Sequence, residues 1–154
     1  MRRLGGPVVD VGSGGGSPGI PLAAALPDRR ITLLEASRRK AAFLARVAAV
    51  FPNVEVVRGR AEEQELEVYG SAVARALAAP PVALEWCLPL VPVGGAALLF
   101  VGEGVRPEDV ALAAERLGGG RPVRERGLLV VPKVHPTPPG FPRRVGVAKK
   151  RPLA

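Results

Sequence analysis

The stretch Val8-Val9-Asp10-Val11 followed by Gly12-Ser13-Gly14-Gly15-Gly16-Ser17-Pro18-Gly19 has the residue types and spacing of a reactive site. A β-branched run reads as a buried strand, and its abrupt change to glycine marks a tight turn with exposed backbone. A helix is expected next, because Pro18 and Pro21 are tolerated in a first turn whose amides lack intrahelical partners. Glycines let a ligand approach the backbone closely, and free amides with the positive end of a helix dipole favour anionic groups. The segment reads as a nucleotide-type cofactor loop.

Gly14 to Gly19 fits the dinucleotide pattern G-x-G-x-x-G, a weak match by itself. Counted from the strand end, the pattern becomes Gly12-x-Gly14-x-Gly16 with Asp10 just ahead of it. That phase resembles the first motif of class I S-adenosylmethionine (SAM) methyltransferases. Glu35 ends the next strand at the spacing where an acid accepts hydrogen bonds from ribose hydroxyls, which suits NAD and SAM alike. Arg60-Ala61-Glu62 follows the third strand, beside the expected adenine position. Arg75 ends the fourth strand, whose carboxyl end faces the ligand crevice, so it is expected to position methyl donor or substrate. The cofactor set is therefore Asp10, Gly12, Ser13, Gly14, Gly16, Glu35, Ala61, Glu62 and Arg75, with Arg75 also the catalytic positioning group.

These residues need a scaffold, and strand-like runs alternating with helical ones predict an α/β Rossmann-like fold, a parallel sheet with helices on both faces. Expected strands are 8–11, 31–34, 54–57, 72–74, 96–101 and 128–131; expected helices are 37–51, 81–88 and 107–117. Along the first of these helices Ala41, Phe43, Leu44, Val47, Ala48 and Phe51 recur at helical spacing. Residues 1–134 read as the cofactor-binding domain and 135–154 as an irregular, basic, Pro-rich tail. At 154 residues the chain is one domain with room for a core. The single cysteine, Cys87, excludes an internal disulfide and reads as a buried small hydrophobe. The single His135 reads as an exposed loop residue, and no metal site is expected. No apolar run is long enough for a membrane span and no signal peptide is visible, so a cytoplasmic protein is expected. A net charge of +8 points to a polyanionic partner, nucleic acid first.

Asp10-Val11-Gly12-Ser13-Gly14-Gly15-Gly16-x-Pro18-Gly19-Ile20-Pro21-Leu22, Leu33-Leu34-Glu35 with Arg39-Lys40 and Phe43-Leu44, Arg60-Ala61-Glu62, Ala74-Arg75-Ala76 and Leu88-Pro89-Leu90-Val91 together resemble the RsmG (GidB) family. The tail adds Thr137-Pro138, Phe141-Pro142-Arg143-Arg144, Gly146 and Lys150-x-Pro152-Leu153. The resemblance runs from Val8 over nearly the whole chain. It implies SAM-dependent methylation of guanine N7 in small-subunit ribosomal RNA, with ribosomal RNA or a small-subunit precursor as partner. Arg143, Arg144, Lys149, Lys150 and Arg151 would then hold RNA phosphate. The rivals are a catalytically weak RNA- or SAM-binding relative and an NAD-dependent oxidoreductase, for which Tyr69 and His135 are poor proton donors.

The chain departs from the family pattern in several places. Val101-Gly102 stands where a Lys-Gly pair is usual, Gly70 follows Tyr69 where an Asp is common, and Gly127 takes the place of an arginine, with Arg126 one position off. The resemblance also implies a helical segment ahead of the first strand, which this sequence, opening almost at that strand, is expected to lack. The expectation is that the natural chain starts upstream of Met1 or that this form self-associates through the face left bare, and that it methylates RNA poorly.

Overall fold

A computed structural model describes residues 5–154. Seven strands form one sheet in the order β3-β2-β1-β4-β5-β7-β6. They are β1 (Val8–Val11), β2 (Ile31–Glu35), β3 (Val54–Arg58), β4 (Ser71–Arg75), β5 (Ala96–Phe100), β6 (Val123–Glu125) and β7 (Leu128–Pro132). Strands β1 to β5 are parallel, while β7 runs antiparallel to β5 and β6 antiparallel to β7. The helices are α1 (Gly19–Ala25), α2 (Arg38–Ala48), α3 (Pro80–Cys87), α4 (Ala111–Arg116) and the short α5 (Val147–Lys150). The strand order reverses between β2-β1 and β4, and ligands of open α/β sheets sit at the carboxyl ends of strands at such a switch point.

The central strands are apolar on both faces because helices cover both. Val9, Val11, Ala72, Ala74, Ala97, Leu99 and Leu129 pack on one side against α3 and α4. Val8, Ile31, Leu33, Val73, Leu98 and Val130 pack on the other with Ala23 of α1 and Leu44 of α2. Helix α2 ends three residues earlier than expected, and its buried stripe is only Ala41, Leu44 and Ala48. Phe43 and Val47, placed on the apolar face by their spacing, are 44% and 36% exposed. They flank the stripe rather than form it. Asn53, just beyond, donates from Nδ2 towards the carbonyls of Ala23, Leu26 and Arg29 and ties the α1–β2 connection to the sheet.

The expected helix over 107–117 divides into a 3₁₀ turn at Pro107–Val110 and α4. Strand β6 has no counterpart among the expected strands, since Val123-Arg124-Glu125 is a polar edge strand without an apolar run. The tail is mostly irregular but packs closely on the body. Ala148 and Leu153 are buried, and Leu153 joins the same core as α3 and α4.

Candidate functional site

One cleft of about 470 Å³ opens at the carboxyl ends of β1, β2 and β4. That volume suits a small-molecule cofactor. Its walls bring together Gly12, Ser13, Gly14, Glu35, Ala61, Glu62 and Arg75. These residues lie far apart in sequence. Asp10 and Gly16 of the expected cofactor set do not line it.

Asp10 instead sits beneath the loop, 1% exposed. Its Oδ2 accepts from Ser13 Oγ at 2.7 Å and from the Gly19 amide at 3.0 Å, so one carboxylate oxygen ties the start of the loop to the start of α1. Its Oδ1 is buried and has no hydrogen-bond partner among the described residues. Burial pushes the carboxyl up to about 6, against the opposing pull of the Ser13 and Gly19 bonds, and the charge of Glu35 pushes the same way. Asp10 thus shapes the loop from behind. A Cβ on Gly19 would lie 2.2 Å from Leu33 Cδ2 and 2.7 Å from Asp10 Oδ2, so any side chain there has to displace both. Gly12 is equally constrained: its φ is +68° and a Cβ would stand 2.2 Å from Leu77 Cδ1.

Glu35 faces the loop from β2. Its Oε1 accepts from the Gly14 amide at 3.0 Å and its Oε2 from the Ser37 amide at 2.7 Å. The first bond fixes the loop, and the second holds the entry to α2, where Ser37 caps Lys40. Each carboxylate oxygen keeps further acceptor capacity towards the cleft. Arg75 reaches across from β4 and donates from Nη1 to Ser17 Oγ at 3.2 Å. Ala76, next in the chain, has a φ of 51° and turns the backbone so that Ala76 and Leu77 join the lining.

Sequence reasoning misses Trp86, Leu77 and Lys40, which also line the cleft. Trp86 is the single tryptophan of the chain, and its indole Nε1 is buried without a hydrogen-bond partner among the described residues. It comes from the later part of α3, and helical periodicity gives no sign that it borders a cleft. Cys87 beside it is buried, and burial pushes its thiol up.

Two of the tail motifs serve as anchors. Arg143, expected to hold RNA phosphate, donates from Nε and Nη2 to the two carboxylate oxygens of Glu85 at 2.7 and 2.6 Å. Glu85 is fully buried in α3, and Nη2 also donates to the Arg151 carbonyl at 2.7 Å. The guanidinium is therefore committed to clamping the tail. Lys133 Nζ, also buried, donates to the Leu88 and Val91 carbonyls and to Thr137 Oγ1 at 2.7 Å, with Glu67 at 3.5 Å. Arg144, Lys149, Lys150 and Arg151 remain exposed. Among the described residues no group of His, Cys, Asp and Glu could hold a metal ion. No described helix is long and apolar enough to cross a membrane.

The model of the GidB family, described as rRNA small subunit methyltransferase G, matches residues 2–117. The chain belongs to that family. The ribosomal RNA small subunit methyltransferase G of Synechococcus sp. (strain JA-2-3B'a(2-13)) is 39% identical over 94% of this chain. That of Moorella thermoacetica is 39% identical over 95% of it. This GidB chain spans 63% of the first relative's length and 69% of the second's. In fold it is similar to the antibiotic-resistance methyltransferase Kmr, at 16% identity and TM-score 0.62 over 86% of this chain and 90% of that one. It is also similar to M. jannaschii TYW2 in complex with AdoMet, at 18% identity and TM-score 0.64 over 84% of this chain and 68% of that one. The fold is thus that of class I methyltransferases, with β6 and β7 as the antiparallel edge.

Proposed function

We propose that this GidB-family chain transfers a methyl group from SAM to guanine N7 of small-subunit ribosomal RNA. The observation that carries the reading is the convergence of the glycine loop, Glu35, Ala61-Glu62 and Arg75 on one cleft at the switch point of the sheet. The residues suit the cofactor: Glu35 offers acceptors for ribose hydroxyls, and Gly12 to Gly15 bare the backbone beside the methionine part. Trp86 and Ala61 give an apolar wall on the adenine side. When bound, SAM supplies an electrophilic methyl group on a sulfonium.

Guanine N7 carries an exposed lone pair at neutral pH, so no side chain has to remove a proton before attack. That accords with a cleft whose described lining holds no histidine or cysteine. The chain's own contribution is positioning, a term that reaches roughly 7–11 kcal/mol in favourable systems. Arg75, fixed by Ser17 at the mouth of the cleft, orients the incoming base or its phosphate. Exposed Arg144, Lys149, Lys150 and Arg151 supply sequence-independent attraction for RNA. Acting on such a substrate, the protein would work in the cytoplasm. Incubating the chain with methyl-labelled SAM and naked small-subunit RNA or assembled subunits tests the proposal. Label recovered as 7-methylguanosine supports it, and a chain that binds SAM yet labels neither substrate contradicts it.

A further inference from the structure

The edge formed by the carboxyl ends of β4 and β5 and the amino end of antiparallel β7 carries a row of side chains that the cofactor cleft does not use beyond Arg75. Arg75 and Phe100 are register partners across β4 and β5, and Phe100 and Leu128 are partners across β5 and β7. Residues paired in this way share a face, and alternation makes these three the next row beyond buried Val73, Leu98 and Val130. The row is open: Arg75 is exposed and Phe100 is 41% exposed. An aromatic ring ending a central strand gains nothing by facing water there, whereas its neighbour Leu98 is 8% exposed.

The row continues from Leu128 to its register partner Glu125 on β6, and Arg126 follows in the turn between β6 and β7. Its φ is 49°, and the adjacent Gly127 carbonyl accepts from the Val101 amide at 3.0 Å, which ties this turn to the end of β5. Arg126 is exposed, and no partner engages its guanidinium among the described residues. The loop after β5 is likewise held, because Arg124 Nη1 donates to the Gly102 carbonyl at 3.0 Å and to the Val105 carbonyl. The Phe100 ring therefore neighbours Arg75 across the strand pair, on an edge braced to the turn that carries Arg126. The edge abuts the cofactor cleft. Arg75 lines the cleft, and a cavity of about 150 Å³ touching Phe100 shares Ala76 and Leu77 with it.

We propose that this edge is the seat of the target nucleotide: the unstacked base lies on Phe100, and Arg75 and Arg126 hold the flanking phosphates. Aromatic faces bind unpaired bases by stacking, and arginines bind phosphate oxygens with paired donors. Arg126 then supplies beside Val101 a cation that β5 itself does not carry. The inference rests on the methyl-transfer reading for the identity of the base, but its test does not need turnover.

The experiment measures affinity for a guanine-containing single-stranded RNA oligonucleotide at low salt, with S-adenosylhomocysteine (SAH) present, for the parent, Phe100→Ala, Phe100→Leu, Phe100→Trp and Arg126→Gln. SAH affinity, read from Trp86 fluorescence, and circular dichroism report the cofactor cleft and the fold. Both Phe100→Ala and Phe100→Leu are expected to weaken RNA binding about 5- to 150-fold, the range for losing one stacked base. Phe100→Trp retains affinity, Arg126→Gln flattens the salt dependence, and SAH affinity is unchanged in each single-tryptophan variant. RNA binding by Phe100→Leu at the parent's affinity, or no RNA binding by the parent, overturns the proposal. A parent that binds RNA through Phe100 but ignores SAH supports the seat and removes the methyl-transfer reading instead.

Discussion

Neutralising Asp10 should change the pH dependence of stability in a way few other single substitutions would. Asp10 is 1% exposed, with one oxygen bonded to Ser13 and Gly19 and the other without a partner among the described residues, and burial holds its folded carboxyl at about 6 against an ordinary 3.8. Folded Asp10 therefore keeps its proton where the unfolded side chain has released it. The stability this contributes is complete below the ordinary value and is lost as pH rises through about 6. A gap of roughly two units, at about 1.4 kcal/mol each, makes the loss on the order of 3 kcal/mol. Asp10→Asn keeps an oxygen for Ser13 and Gly19 and does not titrate. Its stability minus the parent's should then rise by roughly 2–3 kcal/mol between about pH 4 and about pH 7. Urea unfolding followed by circular dichroism across that range, with m unchanged, measures the difference. Taking the difference cancels the other titrating groups. A difference that stays flat with pH would refute the reasoning, because it would mean that Asp10 is solvated or already ionised in the folded state.

Two further outcomes follow from the tail. Arg143→Ala leaves the Glu85 carboxylate buried without its guanidinium and should cost about 3–5 kcal/mol, read as a lower denaturant midpoint; a loss near zero would mean the pair is hydrated. Replacing Arg144, Lys149, Lys150 and Arg151 by glutamine should flatten the salt dependence of RNA binding by about 0.7–0.9 log units per tenfold salt for each phosphate left without its cation. Substitution is the better tool, since deleting the tail would also remove buried Ala148 and Leu153. An unchanged slope would return these cations to plain surface solvation.

The sheet is legible in the sequence because its strands are short apolar runs and because the phase of Gly12, Gly14 and Gly16 against β1 is set by the strand end. Glu35 and Arg75 are legible for the same reason: the carboxyl ends of parallel strands converge, so a residue ending such a strand is near the ligand whatever its neighbours. Trp86 is not, since a cleft-facing and a core-facing tryptophan look alike on an apolar helix. The motif puts Asp10 with the cofactor, whereas the structure turns it under the loop. Local pattern does not separate lining from support. Arg143 reads as one of a run of tail cations, and only its pairing with Glu85, 58 residues away, reveals an anchor. Charge runs do not show which member is already neutralised.

Whether the cleft holds SAM with Glu35 on the ribose is the point on which the rest depends. Calorimetric titration of the chain with SAM, SAH and NAD, repeated on Glu35→Ala, tests it most directly. One-to-one binding of SAM and SAH is expected, with none of NAD, and a loss of about 1–3 kcal/mol in Glu35→Ala as ribose hydroxyls lose their acceptor. Binding of NAD in preference to SAM, or SAM affinity unaltered by Glu35→Ala, would contradict it.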